Sequence, residues 1–223
     1  MLAKTTLKFL TDLKKNNNKP WFDSNRKAYE AAKADFAAIV EAVIASASKF
    51  DPSVGHLKAK ECMFRINRDV RFSKDKSPYK TNMGASFNMG SKKVYGGGYY
   101  FHCEPGGGSF IAGGIYMPMP PDLAKMRQEV DYNWKEFQKI LKAKAFRDVY
   151  GDLEKTGEMT LSRPPKGYEP DNPAIEYIKL KSFIGTAKLT DAQLTDKDLV
   201  KTIVTGFKAV YPLVQFINHA LKE

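Results

Sequence analysis

Cysteine and histidine are scarce in this chain, and long apolar runs are missing. There are two cysteines, Cys62 and Cys103, and three histidines. Their spacing builds neither a disulfide framework nor a metal site. Both cysteines sit among apolar neighbours, which predicts buried thiols in a reducing compartment. So few histidines argue against a His-rich metal centre, and no metal or cofactor is expected. Glycine is plentiful but not in a nucleotide-binding pattern. Neither Gly96-Gly97-Gly98 nor Gly106-Gly107-Gly108 opens a helix as GxGxxG or GK[ST] would. GxSxG and HExxH are absent as well. No stretch approaches the roughly 18 apolar residues of a membrane span. The start, MLAKTTLKFLTDLKK, lacks the apolar core of a signal peptide. A soluble, cytoplasmic protein with no membrane partner is expected.

What is present fits a globular chain. Hydrophobic residues make up 43% and aromatics 12% of 223 residues. That length predicts a single domain over 1–223 with a sizeable core. The net charge is +11, which suits an anionic partner. The charge is concentrated: Lys58 to Lys80 holds eight basic and three acidic residues, a net +5.

Apolar spacing suggests an order of elements. Leu7, Leu10 and Leu13 mark a first helix over 5–16, stopped by Asn16-Asn17-Asn18. Pro20 opens a longer helix carrying Tyr29, Ala32, Phe36, Ile39, Val40, Val43 and Ile44 to about Phe50. Residues 1–50 thus form a helical part. In 62–72, Phe64, Ile66, Val70 and Phe72 alternate with polar residues, which predicts one or two strands with one face buried. Strands over 84–89, 99–104 and 109–117 follow, with turns at Gly90–Lys93 and Pro105–Gly108. Gly113 and Gly114 suggest a bulge or a close backbone approach. Helices resume near Pro121. A proline-rich loop covers 152–174, AIEYIKLKSF is ambiguous between helix and strand, and a last helix runs from about Asp196 to Leu221, with Pro212 expected to kink it. The predicted class is α+β: a central antiparallel sheet over about 62–118 (within a sheet part at 58–118), flanked by N- and C-terminal helices, with 121–223 mostly helical.

Three groups of residues could carry chemistry. The first is the basic stretch, where Arg65, Arg68, Arg71, Lys76 and Lys80 are the anion-binding candidates. Guanidinium groups match phosphate and carboxylate oxygens in a two-pronged way. Arg68 interrupts the apolar face, so it should turn outward or pair with Asp69 or Glu104. The second is His102 and Glu104, two apart on a strand and so on one face, where they could act as a catalytic acid/base pair. The third is the loop Arg163–Tyr168, with Lys179 and Lys181 beyond it. It could close over the basic stretch, bringing Arg163 and Lys181 to the anion.

The segments FRINRDVRFSKDKSPYKTN, YYFHCEPGGGSFIAGGIYMP, RPPKGYEPDNPAIEYIKLKSF and YPLVQFINHAL together resemble the bacterial and fungal family named domain of unknown function 2461. The resemblance covers nearly the whole chain and implies one domain of about this length. It implies no activity. Arg68, Asp69, Arg71, Phe72, Lys76, Pro78, Tyr79 and Lys80 fall on its central signature. Cys103 stands where an aliphatic residue is expected, which speaks against a thiol role. Three readings follow. The first is a pocket for a small phosphorylated or carboxylated ligand, with His102 and Glu104 moving a proton if the ligand is turned over. The second is a nucleic-acid binder that stacks bases on Tyr79, Tyr95, Tyr99 or Tyr100. The third is an interaction module for an acidic protein partner.

Overall fold

The computed structural model describes residues 1–88 and 96–222. Met89, the expected turn at Gly90–Lys93, and Tyr95 lie outside the described residues. Helices α1 (Lys4–Lys15), α2 (Lys19–Ser24), α3 (Arg26–Ala47) and α4 (Ala59–Cys62) lead to strands β1 (Met83–Asn88), β2 (Gly98–Cys103) and β3 (Phe110–Ile115). Helices α5 (Pro120–Tyr132), α6 (Trp134–Lys142), α7 (Lys144–Tyr150) and α8 (Ile175–Ile178) precede β4 (Phe183–Lys188). Helices α9 (Asp191–Leu194) and α10 (Leu199–Ala220) close the chain. The four strands form one antiparallel sheet in the order β1-β2-β3-β4. The fold class is therefore α+β, as expected. No described helix is long and apolar enough to cross a membrane.

The chain divides into two compact units. One holds Met1–Phe87, Tyr100–Ile111 and Lys188–Thr205; the other holds Asn88–Tyr99, Ala112–Ala187 and Gly206–Glu223.

In the first unit, α1 packs on α3. Leu10 and Leu13 of α1 and Phe36, Val40 and Val43 of α3 are buried at the three-and-four spacing of one helix face. Phe36 stacks on Phe101 of β2 at 5.4 Å between ring centroids. Truncating either ring to alanine costs about 3–5 kcal/mol. The long N-terminal helix expected from Pro20 is two helices, parted at Asn25. The Asn18 side chain caps α2 by accepting from the Trp21 N–H.

The second unit packs Phe137 of α6 against Tyr177, Phe183 and Phe216. The ambiguous AIEYIKLKSF resolves into α8 followed by the start of β4. Arg127 fixes this turn, donating to the carbonyls of Ile178 and Leu180. Gly114 has φ +125°, and a side chain there would strike the Phe183 backbone. This is the close approach its sequence position suggested. Helix α10 continues through Pro212.

One expectation is corrected. Residues 62–72 are not a sheet strand, and the sheet begins at Met83. Of the four apolar residues assigned to a buried face, only Ile66 is buried; Phe64 is 45% and Phe72 96% exposed. The backbone makes two isolated antiparallel bridges, Met63 with Ala85 and Asn67 with Tyr79. The second is a short stem in which the Lys80 N–H donates to Ile66 and the Arg68 N–H to Pro78. Pro78 has no N–H to return the bond to Arg68, so the ladder stops there.

Candidate functional site

The stem decides where the first two cations go. Arg68 and Lys80 flank the Asn67–Tyr79 bridge on opposite arms, and both line a cavity of about 470 Å³ in the first unit. Asn17 braces the stem from the loop between α1 and α2. Its side chain donates to the Tyr79 carbonyl at 2.9 Å and accepts from the Tyr79 N–H at 3.1 Å. Tyr79 is only 7% exposed and stacks on Phe22 at 4.0 Å. Phe64 and Asn82 add to the wall, and the Lys80 ammonium lies 5.3 Å from the Phe64 ring centroid.

Strand β2 supplies the floor. Tyr100 and His102 are two apart, so both side chains leave the same face and line the cavity. The Tyr100 hydroxyl lies 3.0 Å from His102 Nδ1, and His102 Nε2 lies 3.2 Å from Glu104 Oε2. A carboxylate at Glu104 only accepts, so Nε2 carries the proton and Nδ1 accepts from Tyr100. Phe110 of β3 stacks flat on the imidazole at 4.6 Å and 15°. Lys14 and Thr81 approach Glu104 Oε1, each at 3.5 Å. Burial pushes the Tyr100 phenol above its usual pKa, so it keeps its proton for His102 and offers the cavity an acceptor oxygen. Gly84 makes room for it: a Cβ there would sit 2.5 Å from the Tyr100 oxygen.

The basic residues fare differently from one another. Arg68 does not pair with Asp69 or Glu104, as the sequence suggested. Its Nη1 donates to Asp75 and to the Ser77 carbonyl, and its Nη2 reaches Ser73 Oγ at 3.4 Å. Asp75 also accepts from the Ser77 hydroxyl and N–H. The Ser77 bonds first, and Arg68 after them, hold the Asp75 carboxyl down at a pKa of about 2. Arg71 makes a two-pronged pair with Asp69, at 3.0 and 2.7 Å. That pairing lowers the Asp69 pKa and raises that of Arg71. Asp69 itself lies on the cavity wall. Lys76 donates to the Val70 carbonyl at 2.9 Å, and Arg65 is exposed. Arg163 and Lys181 belong to the second unit, where Lys181 donates to the Glu158 carbonyl.

His102 and Glu104 do meet, as their spacing implied. Tyr100 and Asn82 were not singled out for this site. For Tyr100 the signal was available: it is one strand period before His102. The stacking candidates Tyr79 and Tyr99 are buried, at 7% and 2% exposure. Cys62 and Cys103 are buried free thiols, and burial first, with nearby carboxylates after it, pushes Cys103 up to about 12. Among the described residues, no group of three His, Cys, Asp or Glu side chains is placed to hold a metal ion.

Residues 5–216 match the family model described as "Conserved hypothetical protein (DUF2461)". No curated protein and no solved structure matches the chain.

Proposed function

We infer a receptor for a small anion from a chain that belongs to the DUF2461 family of conserved hypothetical proteins. The ligand carries a phosphate or carboxylate group. One observation carries the reading: Arg68 and Lys80 open on the same cavity as the hydrogen-bonded line Tyr100–His102–Glu104. Lys80 is the principal charge partner. Arg68 contributes through Nη2, whose 3.4 Å bond to Ser73 is the longest of its three and the easiest for an anion to displace. Asp69 on the wall repels an anion less than a lone carboxylate would, because Arg71 holds it. Asn82 and the Tyr100 oxygen, as an acceptor, face the polar part of the ligand.

The line also gives a direction for proton transfer. A ligand O–H or N–H gives its proton to the Tyr100 oxygen as the Tyr100 proton passes to His102 Nδ1. The imidazolium so formed faces the Glu104 carboxylate, which stabilises it. Tyr100 never carries a full negative charge, which suits its raised pKa. If the ligand is turned over, His102 is the base, Tyr100 the relay and Glu104 the orienting group.

Thermal melting in phosphate, pyrophosphate and small dicarboxylates tests the reading. An anion at about 100 times its Kd stabilises by about 2.7 kcal/mol, roughly 5–10 °C for a chain of this size. The shift should vanish in Lys80→Met and be absent with neutral analogues. An equal shift in Lys80→Met would dispose of the pocket.

A further inference from the structure

We propose that the loop Asp69–Ser77 docks single-stranded nucleic acid, with Phe72 as the ring on which a base stacks. The inference does not rest on an anion in the cavity: Arg68 and Asp69 belong to both, but its test turns on Phe72 and Lys74, which do not line the cavity. Phe72 is 96% exposed. An apolar ring held in water at a loop tip has no packing role in this chain. The Arg71 guanidinium lies 5.9 Å from the Phe72 ring centroid, and Asp69 holds that guanidinium with two bonds. The tip therefore presents a phenyl ring and a cation side by side. Base–aromatic stacking and arginine's affinity for π-faces and phosphates both use this pairing.

The loop is also fixed in shape. Asp75 gathers the Arg68 side chain and the Ser77 hydroxyl and N–H, Lys76 reaches back to the Val70 carbonyl, and the stem closes behind them. Little ordering remains to be done on binding. Arg68 and Arg71 balance Asp75 and Asp69. Lys74, Lys76 and Arg65 then give the exposed surface its positive sign, as a phosphate backbone requires.

Other partners fit less well. A bilayer rewards a cluster of apolar side chains, and even one acyl chain gives only marginal anchoring. Here a single ring projects, and Val70 beside it is half-buried. A protein partner's pocket for Phe72 would call for a surrounding rim that excludes water, whereas what lies beside the Phe72 ring here is the charged Arg71 guanidinium.

Fluorescence anisotropy with labelled oligothymidylate and oligouridylate at low salt tests this on the full chain. Wild type should bind with an affinity that falls steeply as salt rises. Phe72→Ala should weaken binding roughly tenfold with no change in salt slope, and Phe72→Trp should bind at least as well as wild type. Lys74→Ala should lower the slope by about 0.7, the loss of one single-strand phosphate contact. Circular dichroism should be the same for all, since these side chains are exposed. Equal affinity of Phe72→Ala and wild type overturns the proposal. So does the absence of oligonucleotide binding at low salt, including the case in which phosphatidylserine vesicles bind instead in a Phe72-dependent way.

Discussion

Tyr100 is a side chain whose role depends on a missing atom elsewhere. Its hydroxyl reaches His102 only because residue 84 has no Cβ. The phenol is the far end of a flexible side chain, so Gly84→Ala should displace it without unfolding the protein, at about 1–3 kcal/mol. His102 Nδ1 then loses its donor. The ring-nitrogen signals of His102, read by NMR, should shift in Gly84→Ala and in Tyr100→Phe alike. Signals that stay unmoved in both would remove Tyr100 from the line. Sequence spacing carried much of this site: His102 and Glu104 were legible as a same-face pair, and the strand period extends one step back to Tyr100. The Gly84 contact was not legible, because it joins two strands whose register the sequence leaves open.

Among the elements, the hairpin stem at Asn67–Tyr79 matters most to the site. Apolar alternation from Phe64 to Phe72 resembles a half-buried strand, yet Pro78 cannot complete the ladder, and the segment between Arg68 and Pro78 is a loop tied by side chains. Alternation reports which residues are apolar; it does not report where their backbone finds partners. Helix stripes were more legible: in α3, seven buried positions, Ala32 to Ala47, recur at three- and four-residue steps, since a single face suffices to define the pattern. The fourth strand was hidden because AIEYIKLKSF contains both a helix turn and a strand start.

Two predictions belong to this stem. Asn17→Ala leaves the Tyr79 N–H and carbonyl without their brace and should cost about 1–3 kcal/mol, measured by urea unfolding. It should also weaken anion binding by moving Lys80. An unchanged midpoint would mean that the brace is incidental. The second concerns acid. Asp75 has a folded pKa of about 2 against an ordinary 3.8, so it binds its proton less readily in the folded state. Its contribution to loop order is complete above about pH 4 and lost as pH falls toward 2. The Ser77 amide signal should stay constant down to about pH 4 and then move with a midpoint near 2. A midpoint near 4 would show that Asp75 is not held by Ser77 and Arg68.

At the scale of the whole chain, two compact units are described, and the cavity with its cations, its stem and its Tyr100–His102–Glu104 line lies within the first. A net charge of +11 says only that anions are attracted; the proposed receptor assigns the hold to Lys80 and Arg68, which line the cavity. The measurement that tests this most directly is an NMR titration with pyrophosphate, read residue by residue. The largest shifts should fall on Lys80, Asn82, Tyr100 and His102 and saturate together with one Kd. Shifts spread over exposed lysines without saturation, with His102 unmoved, would contradict it.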